Sequence, residues 1–381
     1  MRRTILFLLF GICVLTTIPA TSQNVYGVVS EGTLEDVMNL MDYDIDLNYS
    51  DGNGTSVFMV AAANNPEVRV LQFLSEHGAN MHALDRTGKS ALFYACQYNQ
   101  NPEVVEYLIK QGMDVNAMSL FKQTPLYVSF LGTYRPDVIK LLLDAGADAS
   151  YRTVLNESVL QAAAAAKADA GMIERLAKAG ASANVVGPDG NTALFFALDG
   201  KASLETVEAL LSLGAKVNVC NDDKLTPLMY AASFATDPLI IQKIIAAGAL
   251  PNQETDDGHT ALIFACMYNP NVLIADALLN SGSEVSHRTA QGQDALMYAA
   301  IYTRAPELLA LLIEKGASPL NTDNNGYTAL MFAARMNPNP KISELLLKAG
   351  SDLNWKSNEG MTARDYAKLN SNSSNILALF P

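Results

Sequence analysis

The chain has 381 residues, of which 49% are hydrophobic and 17% are charged, so it carries enough apolar material for a large core. Its 39 acidic residues outnumber its 26 basic residues, and the formal net charge of −13 repels nucleic-acid phosphates. Composition therefore argues against nucleic-acid binding. The acidity favours solubility and, to a smaller degree, a basic partner.

The first 22 residues differ from the rest of the chain. Two arginines precede an eleven-residue apolar run, Ile5–Leu15, and the small, polar stretch Thr16–Ser22 follows it. This order is typical of a secretory signal peptide. An uncleaved membrane anchor is the alternative, but eleven apolar residues fall short of the ~20 that span a bilayer. We therefore predict a signal peptide over residues 1–22, cleaved after Ala20 or Ser22, and a mature net charge of 24 − 39 = −15.

Most of the remaining chain consists of variants of one sequence unit, and the clearest copy runs from Gly326 to Asn354. An Asn-Gly turn precedes Thr328, whose hydroxyl is placed to cap a short helix that ends before Asn337. Pro340 is suited to the first turn of a second helix. Gly350 follows that helix, as expected of a residue that adopts a left-handed conformation. The unit is therefore predicted to be two short antiparallel helices and a protruding loop.

The unit recurs with a period of 34 residues. The terminal glycine stands at Gly78, Gly112, Gly146, Gly180, Gly214, Gly248, Gly282, Gly316 and Gly350. The capping residue stands at Ser56, Ser90, Thr124, Ser158, Thr192, Thr226, Thr260, Asp294, Thr328 and Thr362. A fixed short period is the mark of a solenoid, in which each repeat buries its apolar faces against its neighbours.

The residues within the repeat decide which solenoid this is, because a period of 34 also fits tetratricopeptide repeats. Helix starts such as Thr226-Pro227-Leu228 and endings such as Gly112-Met113-Asp114-Val115-Asn116 resemble the ankyrin repeat, whereas the tetratricopeptide Trp and Leu-Gly signature has no counterpart. The resemblance covers residues 25–380 and implies an all-α, ankyrin-repeat α-solenoid.

Two features depart from the ankyrin pattern. The ankyrin histidine is replaced, mostly by apolar residues such as Met59 and Phe93, so its polar bracing is lost. The period is also one residue longer than the ankyrin 33, and the extra residue is expected in the Asn/Pro-rich turn between the helices.

The unbroken repeat predicts one domain over residues 23–381. Residues 25–50 form a shorter, degenerate N-terminal capping repeat, nine full repeats span 51–356, and a truncated C-terminal capping repeat occupies 357–381. Degenerate terminal repeats are expected where one face has no neighbour.

The sequence carries no recognisable catalytic or ligand motif. Cys96 and Cys266 share a helix column with alanines and are predicted to be buried thiols, while Cys220 lies in a loop. The four histidines lie in or beside loops, and although His259 and His287 could approach each other, none belongs to a metal-ligand pattern. We therefore predict no catalytic residue, no metal, no cofactor and no enzymatic activity.

Two columns of the first helices concern the surface. The column containing Tyr94, Phe264 and Tyr366 is predicted to lie in the core. The column four residues later is variable and solvent-facing in ankyrin repeats, and with its neighbours it predicts an apolar groove, unless the longer turn folds over these side chains. The candidate partner-binding residues are Tyr98, Phe234, Met267, Tyr268, Ile301, Tyr302, Arg335 and Met336.

Ankyrin repeats generally bind proteins, so the resemblance implies a non-catalytic scaffold that binds a protein partner on its concave face and loop tips. Together with the signal peptide, it indicates a location in the bacterial envelope (the periplasm) or the secreted space. After cleavage no membrane segment is expected. The alternative is a binder of cell-wall peptide or glycan, in which exposed aromatic rings stack on sugar faces.

Overall fold

The computed structural model describes residues 20–43, 45–370 and 373–380. The signal-peptide prediction therefore lies outside the described residues, except for Ala20–Ser22, which begin the first helix. The chain forms two compact units, residues 1–154 (unit 1) and residues 155–381 (unit 2). Whether residues 23–381 form a single domain stays a prediction.

Unit 1 consists of helix pairs. Its helices are α1 (Ala20–Glu31), α2 (Leu34–Asn39), α3 (Val57–Asn64), α4 (Val68–Glu76), α5 (Ala91–Tyr98), α6 (Pro102–Lys110), α7 (Pro125–Val128) and α8 (Pro136–Asp144). A 3-10 turn, Leu40–Asp42, extends α2. The pair α1 and α2 corresponds to the predicted N-terminal capping repeat and buries Val29 and Val37 completely or nearly so.

Unit 2 continues the same pattern. Its helices are α9 (Val159–Ala165), α10 (Ala170–Lys178), α11 (Ala193–Asp199), α12 (Leu204–Ser212), α13 (Pro227–Phe234), α14 (Pro238–Ala246), α15 (Ala261–Tyr268), α16 (Val272–Asn280), α17 (Ala295–Tyr302), α18 (Pro306–Glu314), α19 (Ala329–Met336), α20 (Pro340–Lys348), α21 (Ala363–Ala367) and α22 (Ser373–Leu377). The described residues form isolated β-bridges but no strand. The all-α, ankyrin-repeat fold class is confirmed.

The helix pair of the unit from Gly326 to Asn354 begins and ends as the sequence predicts. The Thr328 hydroxyl accepts a hydrogen bond from the Met331 amide, α20 begins at Pro340, and Gly350 has a φ of +97°. Side-chain caps of this kind are seen at Ser56, Thr124, Ser158, Thr226, Asp294, Thr328 and Thr362. At Ser90, Thr192 and Thr260 the side chain makes no such bond, so the cap there is formed by the backbone alone.

The core of each unit lies between the helices. A leucine stands two residues after eight of the ten caps, such as Leu92 in unit 1 and Leu296 in unit 2, and it is buried against the neighbouring helices. The second helices add apolar stripes such as Ile240, Ile241 and Ile244. Apolar burial of this kind stabilises by roughly 25 cal/mol per Å². The first helices of consecutive pairs in unit 2 pack side by side from α13 to α21.

Asparagines connect consecutive repeats through the loops that follow the second helices. In unit 1 the Asn116 amide donates to the Gly146 carbonyl at 3.0 Å and accepts from the Asp148 amide at 2.8 Å. In unit 2 Asn252 makes the same two bonds to Gly282 and Glu284. The last residue of the G-x-D-x-N ending therefore braces the next helix terminus, which explains why that residue is polar.

Candidate partner-binding surface

The last residues of four consecutive first helices in unit 2 form an exposed line, which we term the hydrophobic row. It consists of Phe234, Tyr268, Tyr302 and Met336, at the C-terminal ends of α13, α15, α17 and α19. Their side chains are 37%, 52%, 49% and 53% exposed, in that order. Because packed helices lie about 8–10 Å apart, the row spans roughly 25–30 Å.

Three further predicted residues lie beside the row. Met267 and Ile301 are half-buried, and Arg335 is exposed. The Arg335 guanidinium carbon lies 5.8 Å from the centre of the Tyr366 ring, close enough for a cation–π contact. Seven of the eight predicted residues are therefore on neighbouring helices of unit 2.

Tyr98 is the exception, because it lies in unit 1 at the end of α5. It is 40% exposed and packs on Tyr94, with the ring centres 6.4 Å apart. The corresponding positions of the adjacent repeats are Asn64 and Gly132, so no hydrophobic row continues on either side within unit 1. The sequence column thus groups Tyr98 with residues of a different compact unit.

A second line of rings supports the row from one helical turn earlier. The ring centres are 5.9 Å apart for Tyr230 and Phe234, 6.1 Å for Phe264 and Tyr268, and 6.4 Å for Tyr298 and Tyr302. Side chains at positions i and i+4 share one face of a helix, which brings the two rings of each pair together. The 34-residue period repeats this pair in consecutive first helices.

The core prediction for this supporting column holds only in part. Tyr298, Phe332 and Tyr366 are buried, whereas Tyr94, Phe196, Tyr230 and Phe264 are half-buried. Each half-buried ring is covered by the side chain of the residue four positions later, where that residue has one. The covering side chain is itself exposed, so the ring beneath it still reaches the surface.

The tyrosine hydroxyls of this column connect the helices to the loop tips. The Tyr298 hydroxyl lies 2.9 Å from His259 Nε2, and the Tyr230 hydroxyl lies 3.5 Å from Asn221 Nδ2. In unit 1 the Tyr94 hydroxyl donates to Asp85 Oδ2 at 2.9 Å. Burial raises the pKa of all three tyrosines, so their hydroxyls remain protonated. The row and the loop tips consequently belong to one continuous surface.

Asparagines that are buried or half-buried hold the inter-helix turn beside the row. Asn269 donates to the carbonyls of Ala232 and Ala235 at 3.0 and 2.9 Å, and Asn337 contacts the preceding repeat in the same way. The turn is thereby fixed against the preceding repeat and leaves the row uncovered. This role was not predicted from the sequence, although asparagine at positions 65, 99, 269 and 337 was the available signal.

One repeat of unit 1 achieves the same bracing differently. Its turn has Thr133 where the asparagine stands elsewhere, and the buried Arg135 donates instead to the carbonyls of Ala95 and Cys96. Its α7 is also only four residues long.

A small cleft opens between the ends of α13 and α15. It has a volume of about 190 Å³, and its walls include Phe234, Tyr268, Pro270 and the exposed Lys201. A cleft of this size fits one side chain of a partner, whereas pockets for drug-sized ligands measure about 300–1,000 Å³.

The described cysteines and histidines do not cluster into a metal-binding group. Among the described residues there is no cluster of three potential metal ligands. His287 Nε2 donates to the Gly258 carbonyl at 2.9 Å and lies 3.2 Å from Glu254 Oε2, whereas His259 contacts Tyr298. Burial raises the pKa of Cys266 to about 12 and raises that of Cys96 as well, so both thiols stay protonated.

Within the part of the chain that the structure describes, no helix is both long enough and apolar enough to cross a membrane.

Family models for ankyrin repeats match the chain from residue 26 to residue 367 without a gap. A model of three ankyrin-repeat copies matches residues 26–119, 58–153, 126–221, 160–239 and 228–323. A model of many copies matches residues 312–367. None of the curated proteins matches the chain significantly.

Proposed function

Because the chain belongs to the ankyrin-repeat family, whose repeats indicate a protein–protein interaction scaffold, we propose that it binds a protein partner through the hydrophobic row and the adjacent loop tips of unit 2. The observation that carries this proposal is the exposure of Phe234, Tyr268, Tyr302 and Met336 on consecutive helices. Contiguous exposed apolar surface of this kind marks interaction sites.

The composition of the row supports a protein partner. Tyr, Phe, Met and Arg are the residues enriched at protein interfaces, and the row with Arg335 contains only these types. Fully burying a large apolar side chain is worth about 1.5–3 kcal/mol, and each of these side chains is already partly buried in the free protein. Supporting rings beneath them limit the rotamer entropy that binding must remove.

We propose further that the protein acts without catalysis, as ankyrin-repeat proteins generally do, and that it is exported to the bacterial periplasm or the secreted space. The export proposal rests on the order of charged, apolar and small residues in positions 1–22. The N-terminal sequence of protein recovered from a periplasmic or culture fraction tests it, because retention of Met1 contradicts cleavage.

Cell-wall peptide or glycan is the second candidate ligand. It is favoured by Tyr268 and Tyr302, which expose about half of their surface on neighbouring helices. In this case, binding to purified envelope polymer is lost when both tyrosines are changed to alanine, and no protein partner depends on them.

The test of the protein-binding proposal compares two variants of four substitutions each. The row variant is F234S/Y268S/Y302S/M336S. The control is L239S/L250S/L273S/L320S, which removes four exposed leucines of unit 2 that lie outside the row. Each protein is used as bait in a crosslinked pull-down from the source cell's envelope, and the affinity of the captured protein is then measured with purified components.

The proposal predicts that the control retains its partner and that the row variant binds it at least tenfold more weakly, with unchanged helical circular dichroism. Equal binding by both variants contradicts it.

A further inference from the structure

Three consecutive loop tips beside the hydrophobic row are strongly acidic. The tips at residues 188–190, 222–224 and 256–258 carry five exposed carboxylates and a single lysine, Lys224, for a net charge of 1 − 5 = −4. The carboxylates are those of Asp189, Asp222, Asp223, Asp256 and Asp257.

These five carboxylates differ from the acidic groups on the second helices. Among the described residues, none of the five has a lysine, arginine or histidine nitrogen within 4 Å, whereas Glu208 pairs with Lys243 at 2.7 Å and Glu344 pairs with Lys348 at 2.7 Å. Charges on the second helices are thus partly compensated within the protein. The carboxylates of the tips are therefore available to form ion pairs with a partner.

A backbone hydrogen bond joins the first tip to the second, and another joins the third tip to the loop that follows it. The Asp222 amide donates to the Asp189 carbonyl at 3.1 Å, and the Ala290 amide donates to the Asp257 carbonyl at 3.0 Å. A rigid array of charges binds with less entropic cost than charges on mobile loops.

The tips and the row belong to one surface of unit 2. Tyr298 packs on the exposed Tyr302 at one end, and its hydroxyl contacts His259, two residues after Asp257. Tyr230 likewise connects Phe234 to Asn221, the residue before Asp222. Burial is the main cause of the raised pKa of the Tyr230 hydroxyl, and the charges of Asp199, Asp223 and Asp189 raise it further, which is consistent with their proximity.

The opposite edge of the row carries charges of both signs, because Asp199 and Asp237 stand near the C-terminal ends of α11 and α13. Arg304 and Arg335 are exposed near the C-terminal ends of α17 and α19. Unpaired negative charge is therefore concentrated at the tips, so a partner with cationic groups is attracted more strongly to the tip side than to the turn side. This difference orients the partner as well as attracting it.

We propose that the partner presents a polypeptide segment in which lysine or arginine side chains alternate with large apolar ones, the apolar side chains packing on the hydrophobic row and the cationic side chains reaching the acidic tips. This inference rests on the proposed function, because it specifies the chemistry of the partner bound at that same surface.

The experiment uses three synthetic 16-residue peptides with the full-length chain. The first peptide alternates pairs of lysine with pairs of leucine and tyrosine. In the second, glutamate replaces every lysine, and in the third, serine replaces every leucine and tyrosine. Affinities are measured by fluorescence anisotropy at 150 mM salt, where the Debye length of about 8 Å screens the long-range field of the whole protein.

Two variants separate the local effect of the tips from that of net charge. The tip variant is D189N/D222N/D223N/D256N/D257N. The control is E174Q/E205Q/E208Q/E307Q/E314Q, which changes the net charge by the same +5 on the second helices of unit 2.

The proposal predicts that the first peptide binds at least tenfold more tightly than the other two. It also predicts that the tip variant binds this peptide at least tenfold more weakly, while the control stays within twofold of the wild type. Equal weakening by both variants would overturn the proposal, since net charge alone would explain it, and so would an unchanged affinity in the tip variant.

Failure of this inference is distinguishable from failure of the proposed function. If the natural partner is lost by the row variant but kept by the tip variant, the row is the binding surface and the partner is not recognised by its cationic groups. If the row variant also keeps the partner, the proposed function itself falls.

Discussion

Asn99 shows how a single side chain sets the position of a turn in this protein. Its buried amide donates to the carbonyls of Ala62 and Asn65 at 2.9 and 2.7 Å, and its own oxygen accepts from the Asn101 amide at 2.8 Å. Both carbonyls belong to the preceding repeat and would otherwise lack a partner at the end of α3. The side chain of Asn99 therefore supplies hydrogen-bond partners to backbone groups of two consecutive repeats.

Replacing Asn99 with alanine is expected to lower the free energy of unfolding by about 2 kcal/mol, because it leaves buried carbonyls unpaired. Asn64→Ala is the matched control, since the exposed Asn64 amide bonds only to Val60 of its own helix. We expect the control to stay within about 0.5 kcal/mol of the wild type in urea unfolding. Equal losses in the two variants would refute the bracing role.

His259 makes stability depend on pH. Its ring is half-buried against Tyr298, and burial lowers its pKa, although the charge of Asp257 acts in the opposite direction. A histidine with a lowered folded-state pKa binds protons less readily than in the unfolded chain. Its contribution to stability is therefore complete above the ordinary pKa of about 6.5 and is lost as the pH falls below that value.

We accordingly expect urea unfolding to show a greater loss of stability between pH 7.5 and pH 5.5 in the wild type than in His259→Gln. The difference between the two pH profiles isolates this histidine from the many carboxylates that titrate in both proteins. An identical pH dependence in the two proteins would contradict the assignment.

The exposure and neighbourhood of these residues were predictable to different degrees. The exposed positions of the hydrophobic row follow from the 34-residue period, because residues in one column share an environment. The role of asparagines such as Asn99 and Asn337 does not, because an asparagine in a turn is equally compatible with local turn formation. Only the position of the preceding repeat's carbonyls distinguishes the two cases.

At the scale of elements, the helix pairs depend on two kinds of glycine with the same left-handed conformation. Gly282 follows α16 with a φ of +97°, and a Cβ atom there would meet no other atom within 4 Å. Gly258, at a loop tip, has a φ of +79°, and a Cβ atom there would lie 2.9 Å from the Thr289 Cα atom of the next loop. Position 282 therefore requires glycine only for its backbone conformation. Position 258 also requires glycine because a side chain would collide with the loop of the next repeat.

Gly282→Ala is therefore expected to cost about 1–2 kcal/mol, the strain of a left-handed alanine. Gly258→Ala is expected to cost about 1–3 kcal/mol more, because the neighbouring backbone must also shift. Denaturant unfolding of the two variants measures the difference, and a smaller loss for Gly258→Ala would show that the loops are not held together as described.

Element boundaries were predictable wherever capping chemistry is local. Thr328, Pro340 and Gly350 specify the helix ends through their own side chains or backbone, and the structure places the ends there. The shortening of α7 was not predictable from the cap, because Thr124 and Pro125 are ordinary starting residues. Its length is decided downstream, where Arg135 replaces an asparagine brace and the turn has Gly132.

At the scale of the whole molecule, the repeat period predicts the family but not the compact units. The 34-residue spacing runs through the boundary between residues 154 and 155 without interruption, so no sequence signal marks it. The candidate surface shows the same limit, because Tyr98 belongs to the predicted column yet lies in unit 1, whereas the row lies in unit 2. Net charge was similarly uninformative about where the uncompensated carboxylates lie.

Site-specific photo-crosslinking in the source cell tests directly whether the hydrophobic row binds the protein partner. A benzophenone amino acid is placed at Tyr268 in the row and, as a control, at the equally exposed Leu273 at the start of α16. The account predicts that the protein partner crosslinks at position 268 and not at position 273. Crosslinking at position 273 alone, or equally at both positions, would contradict the assignment of the hydrophobic row as the binding surface.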